Sequence, residues 1–153
     1  MFRSPAPLLQ ARTIAIVGAS ERARWPVSIH RNLTRTGAPV RIFPIPPSRS
    51  EVWGMQCYPD FASLPEAPDL ALMIVPAQQI VPSLEEGAKR GLRAALIYAS
   101  GIGEGENPES AARGRALKQL CEATGLVACG PNCMGNVSMR EKLFLYPNPD
   151  FND

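Results

Sequence analysis

A chain of 153 residues has room for one sheet covered by helices, and too few for two large domains. With 45% hydrophobic and 20% charged residues the composition is that of a globular protein, and a net charge of +2 carried by scattered Lys and Arg argues against nucleic acid as a partner. The longest apolar run, residues 70–77, is far short of a membrane span, which argues against a membrane partner.

Residues 1–11 read as an N-terminal tail; the first ten hold one Arg and no long apolar stretch, so no secretory signal is expected. Residues 13–17 (TIAIV) form the first strand, followed by Gly18-Ala19-Ser20. A helix is expected over 26–36, with Pro26 in its first turn, Ile29 and Leu33 on one face and Gly37 at its end. The second strand, 40–45, runs into Pro46-Pro47, which ends any central strand. Residues 48–69 contain Pro59, Pro65 and Pro68 and are expected to be irregular, with at most a helical turn at 61–64.

The nearly continuous apolar run 70–75 reads as a strand buried on both faces. After Pro76 comes a helical pattern over 77–90, closed by Gly91; Pro82 inside it places the start of the regular helix near Val81, after a looser turn. Residues 92–98 form the fourth strand. Asn107-Pro108-Glu109 combines an N-cap, a proline at the first helical position and a carboxylate in the first turn. The helix it opens runs to about 124, with Leu117, Leu120 and Cys121 inward and Gly125 closing it. The fifth strand, 126–129, leads into Gly130-Pro131-Asn132-Cys133-Met134-Gly135. Domain limits are therefore set at 12–135, with 136–153 read as an edge strand near 143–146 and a linker towards a second domain absent from the chain.

The alternation predicts an α/β fold: Rossmann-like, doubly wound, with a mostly parallel five-stranded sheet and helices on both faces. Right-handed crossovers place the loops after the first and fourth strands at the expected topological switch point. Small residues at strand ends let a nucleotide approach the backbone. The Gly18 loop, however, is not a dinucleotide fingerprint, because Ser20 and Ala23 stand where further glycines would be needed, and no Gly-Lys-Ser/Thr follows for a Walker loop. It offers one glycine, a hydroxyl, and Arg22 and Arg24 for phosphates; the bland alternative is a plain turn with solvated arginines.

The four cysteines lack zinc-site spacing, so no metal site is expected, and the absence of an export signal points to reduced thiols in the cytoplasm. Cys133 reads as a packing side chain in preference to a nucleophile, His30 as a structural or surface residue, and Glu104 and Glu106 as solvated.

Five segments, Ile16-Val17-Gly18-Ala19-Ser20, Cys57-Tyr58-Pro59, Ile74-Val75-Pro76, Ala99-Ser100-Gly101-Ile102 and residues 130–135, stand in the order and spacing of the CoA-binding domain of NDP-forming acyl-CoA synthetases. The chain resembles that family, and the α-subunit of succinyl-CoA synthetase is similar, over about residues 12–140; Gly-Pro-Asn-Cys-x-Gly is the most specific element. The resemblance implies coenzyme A as the ligand, lying across the carboxyl ends of the strands. It places Gly18, Ala19, Ser20, Arg22 and Arg24 at the phosphates, and Pro46 and Arg49 beside the nucleotide. Val75, Pro76 and Ala77 would form an adenine-side wall, and Ser100, Gly101, Ile102, Asn132 and Cys133 would line the pantetheine and thiol end.

Two departures stand out: Pro46-Pro47-Ser48-Arg49 replaces the usual Asn-Pro-Lys type sequence, and Trp25-Pro26 stand about where a glycine is usual. In the resembled enzymes a phosphohistidine domain and an ATP-grasp domain supply the remaining chemistry, so those are the implied partners besides CoA or acyl-CoA. No catalytic residue is expected in this chain, nor ligase activity from it alone. An NAD(P)-binding redox or sensor domain, and a regulatory domain that lost its ligand, stand as alternatives.

Overall fold

The structure, a computed structural model, describes residues 3–148. The expected linker residues 149–153 lie outside that range. Thirteen elements are formed by the described residues: α1 (Ala6–Leu9), β1 (Thr13–Val17), α2 (Arg24–Thr36), β2 (Arg41–Ile45), β3 (Glu51–Val52), β4 (Met55–Gln56), β5 (Leu70–Met73), α3 (Ala77–Lys89), β6 (Ala94–Ile97), α4 (Pro108–Thr124), β7 (Val127–Cys129), β8 (Val137–Ser138) and β9 (Leu143–Phe144).

Five strands form one parallel sheet in the order β2-β1-β5-β6-β7. The chain reverses its winding between β1 and β5, so the switch point lies after the first and third sheet strands. This corrects the expected placement after the first and fourth: β6 is added outward from β5 and never neighbours β1. Every residue of β1, β5 and β6 is buried, as the apolar runs imply for strands covered on both sides.

Alternate residues feed two separate cores. On one face Val17, Phe43, Ala71, Met73 and Ile97 pack with Ile80 and Leu84 of α3 and Leu117 of α4. On the other, Ile14, Ile16, Leu70, Leu72 and Leu96 pack with Ile29 and Leu33 of α2, Leu8 of α1, and Leu143. Edge strand β2 contains Pro44, opposite Ile16 in register. Pro44 C=O accepts Tyr58 N–H at 3.0 Å, so its nitrogen also points away from β1 and costs the sheet no bond.

Residues 48–69 depart from the irregular reading. Glu51–Val52 and Met55–Gln56 pair as a hairpin across Trp53 and Gly54, which both adopt positive φ (55° and 71°), as a two-residue turn of the primed type requires. The α3 helix also corrects an expectation, since it starts at Ala77 and runs unbroken through Pro82. Pro82 and Gln78, whose carbonyl loses its partner, are both exposed, while Ile80, Val81 and Leu84 are buried. The missing bond thus falls on the exposed side of the helix, and burial of the other side holds it.

Asn107 caps α4 as expected, its Oδ1 accepting Glu109 N–H at 2.8 Å and Ser110 N–H at 3.4 Å, and Gly125 closes the helix in the left-handed region. Asn107→Ala is expected to cost about 1 kcal/mol of stability in urea denaturation, the ordinary worth of such a cap. Outside the sheet, Arg3 Nη1 donates to the carbonyls of Cys121 and Leu126, and Asn136 Nδ2 donates to Leu8 O, so residues 3–11 are held against the body. Leu143–Phe144 pairs with Val137–Ser138 and not with an edge of the large sheet. No helix among the described residues is long and apolar enough to cross a membrane.

Candidate functional site

At the carboxyl ends of β1, β2 and β5 lies a cleft of about 390 Å³. Seven of the expected site residues line it: Gly18, Ala19, Ser20, Pro46, Arg49, Val75 and Pro76. Gly18 has φ +89°, and a Cβ there would sit 2.1 Å from Ile74 O, so the turn closes against β5 only because the side chain is missing. Ser20 Oγ accepts the N–H groups of Arg22 and Ala23, both at 3.1 Å, ordering the entry into α2; its own proton is left to donate elsewhere.

Arg49 is the one charged side chain among the described residues lining the cleft. It is held at the rim by Glu21, Nη1 to Oε2 at 3.2 Å, and Glu21 Oε1 accepts Trp53 N–H at 3.0 Å. The hairpin thus anchors the cation of the cleft. The α3 helix begins at the opposite wall, after Pro76, without a side-chain cap; Gln79 N–H bonds back to Pro76 O at 2.9 Å, and the N–H groups of Ala77 and Gln78 remain open to an anion. Gln79 and Ser83, one turn apart on α3, also line the cleft, together with Pro47, Ser48 and Pro59. Spacing of four on a helix that starts at Ala77 was the signal for Gln79 and Ser83; placing the start near Val81 hid it.

A neighbouring groove of about 240 Å³ shares Ile74, Val75 and Pro76 with the cleft and is bounded beyond them by Trp25, Tyr98 and Ala99. Trp25 meets Tyr98 edge to face at 5.7 Å, and Tyr98 Oη donates to Leu145 O at 2.6 Å. Burial pushes the Tyr98 phenol well above its ordinary value, so it stays a neutral donor.

Ala77 links the cleft to the 100–102 loop: a Cβ on Gly101 would lie 3.8 Å from the Ala77 Cβ. Glu104, expected to be solvated, instead folds back and accepts Gly101 N–H at 2.6 Å and Ile102 N–H at 2.8 Å. The carboxylate occupies these two donors because the loop turns through positive φ at Gly101 and Gly103, aiming them inward. Ile102 is buried and Ser100 exposed. The 130–135 loop closes over the end of β6, with Asn132 N–H on Ala99 O at 2.9 Å and Cys133 N–H on Ile97 O at 3.2 Å.

Arg22 and Arg24 do not line the cleft. Arg22 is exposed, and Arg24 borders a separate groove with Trp25, Met134 and Tyr146. His30 stacks on Trp53 with ring centroids 4.3 Å apart, and burial holds its pKa below the ordinary value. It packs against the hairpin, and no acid–base pair lines the cleft among the described residues. Geometry and charge together describe a phosphate-friendly cleft continued by an apolar groove, suited to binding a long ligand.

Residues 12–139 match the family described as the CoA binding domain. Among curated proteins the chain is 30% identical over 137 residues to a trans-feruloyl-CoA synthase from an unknown prokaryotic organism, covering 89% of this chain and 19% of that protein. It is 30% identical over 129 residues to the ADP-forming acetate–CoA ligase II of Archaeoglobus fulgidus, covering 84% and 19%. The chain thus spans about a fifth of the length of these relatives. A dinucleotide-forming acetyl-coenzyme A synthetase 1 of Ca. Korarchaeum cryptofilum, solved with phosphate and ADP, shares the fold at TM-score 0.79 and 24% identity, over 95% of this chain and 31% of that one. A hypothetical protein from Pyrococcus horikoshii OT3 shares it at TM-score 0.64 and 24% identity, over 88% and 83%. With its sheet, its glycine-closed turn and the match over residues 12–139, the chain belongs to the CoA-binding domain family related to ADP-forming acyl-CoA synthetases.

Proposed function

We propose that this chain binds coenzyme A in the cleft at the switch point and serves as the CoA-binding module of an NDP-forming acyl-CoA synthetase. The observation that carries the reading is the convergence of Gly18, Ala19, Ser20, Pro46, Arg49, Val75 and Pro76 on one cleft beside the uncapped start of α3. Phosphates of the nucleotide meet Arg49, the Ser20 hydroxyl and the N–H groups of α3. The pantetheine arm follows the groove past Trp25 and Val75-Pro76 towards Ser100–Ile102 and Asn132–Cys133, with Ala77 between the two stretches. Phosphohistidine and ATP-grasp domains, on the same protein or on partner subunits, then complete acyl-CoA formation.

Calorimetric titration tests this. CoA should bind, dephospho-CoA more weakly, and NAD should give no heat. Arg49→Glu should weaken CoA by about tenfold, the scale of one charged hydrogen bond, while leaving the melting temperature nearly unchanged. Preference for NAD, or silence with all three ligands, would overturn the reading in favour of a redox or a ligand-free regulatory domain.

A further inference from the structure

Cys129 ends β7, in register with Leu96 of β6. Four residues later the chain has turned back through Asn132, at φ 54°, and Cys133 N–H is bonded to Ile97 O, the next residue of the same strand. Both cysteines therefore flank the end of β6, with their side chains next to one another on the same face of the sheet. Both are free thiols, half-buried, on the face of the sheet that also holds Tyr98. The other two cysteines stand elsewhere: Cys121 packs into the core on the opposite face, and the Cys57 thiol points to Met55 O at the end of the hairpin. Burial keeps the Cys133 thiol above its ordinary value.

We propose that Cys129 and Cys133 form a dithiol site that is oxidised to an intramolecular disulfide by exchange with a low-molecular-weight disulfide. The Cys133 thiolate attacks one sulfur of the small disulfide, giving a mixed disulfide and releasing one thiolate. Cys129 then attacks the Cys133 sulfur, forming the Cys129–Cys133 bond and releasing the second thiolate. The two cysteine protons go to the two leaving thiolates. The pair gives up two electrons and the small disulfide gains them. Cys133 is the entry point because it lies on the loop, whereas Cys129 is fixed in the sheet. The new bond joins the end of β7 to the loop that covers β6.

The test uses the purified chain and oxidised glutathione, followed by alkylation with N-ethylmaleimide, intact mass and non-reducing peptide mapping. The expected result is a loss of two of the four alkylatable thiols, recovered as a Cys129–Cys133 linked peptide and reversed by dithiothreitol. Cys129→Ser should instead accumulate a stable glutathione adduct on Cys133. The double variant Cys57→Ser with Cys121→Ser should oxidise as the wild type does. Glutathione spread over all four cysteines, four thiols still alkylated after prolonged exposure, or a disulfide that includes Cys57 or Cys121 would overturn the proposal. Circular dichroism of each variant before treatment separates altered reactivity from altered folding.

Discussion

Gly18→Ala is expected to lower stability by about 3 kcal/mol, the sum of a left-handed backbone penalty and an overpacked contact. The added carbon would lie 2.1 Å from Ile74 O and 2.8 Å from Ile74 C, and these are backbone atoms of the strand end next to it. Neither side can yield cheaply. Ile74 N–H is bonded to Val17 O, and Gly18 N–H to Ile45 O, both at 2.9 Å, so moving the turn breaks the junction of three strands. Urea denaturation should show a lower midpoint with an unchanged slope, and CoA titration should weaken in parallel because the same turn floors the cleft. Gly37→Ala is the control: φ there is +61° but no atom lies within 4 Å, so only the backbone penalty remains. Equal losses at the two glycines would refute the steric account.

Asp69→Ala should cost about 3 kcal/mol at neutral pH, because its carboxylate makes several charge-assisted hydrogen bonds whose donors would be left without it. Oδ2 accepts the N–H groups of Arg12 and Thr13 at 2.8 and 3.1 Å, and the Thr13 hydroxyl at 3.2 Å; Oδ1 pairs with Arg93 at 2.6 Å. These bonds pin the start of β1 to β5 and β6 at the end of the sheet opposite the cleft. Burial pushes the Asp69 carboxyl up, but the Arg12 and Thr13 N–H groups and the Arg93 guanidinium outweigh it and hold it below 3.8. A depressed folded-state pKa stabilises fully above the unfolded value and is lost as pH falls through the folded one. The gap in melting temperature between wild type and Asp69→Ala should therefore be constant from neutral pH down to about 5 and close in the acid range below about 4. A gap that persists at pH 2 would show that packing, and not the carboxylate, is responsible.

Five sheet strands and three long helices were legible because each has a local cause: apolar runs of strand length, Gly37 and Gly125 at helix ends, and Asn107-Pro108-Glu109 at a helix start. The hairpin escaped because its turn is Trp53-Gly54, where a tryptophan occupies a position that usually signals itself through Asn or Asp. Trp53 tolerates that backbone because its ring is stacked on His30, a contact between residues 23 apart in sequence. The start of α3 was misplaced for the opposite reason, since a strong local signal, Pro82, was overruled by burial of its neighbours. At the cleft, glycine and proline loops named residues of which seven converge on one face, but which arginine reaches it depends on Glu21 and the hairpin. Pattern alone could not choose Arg49 over Arg22 and Arg24.

The strand order β2-β1-β5-β6-β7 also dictates when the fold can close. On a ribosome β1 and β2 emerge early and can pair at once, yet β1 keeps an open edge until β5 arrives more than fifty residues later. Through that interval a largely apolar strand is half-paired, exposed to other nascent chains, with the Asp69 clamp still unmade. Folding speed should therefore track the long-range docking of β5 on β1, a high-contact-order step, more than formation of any helix. Insertions in residues 60–69, beyond the hairpin and the cleft-lining Pro59, lengthen the connection to β5 and should lower assembly yield while leaving the lining of the cleft unchanged.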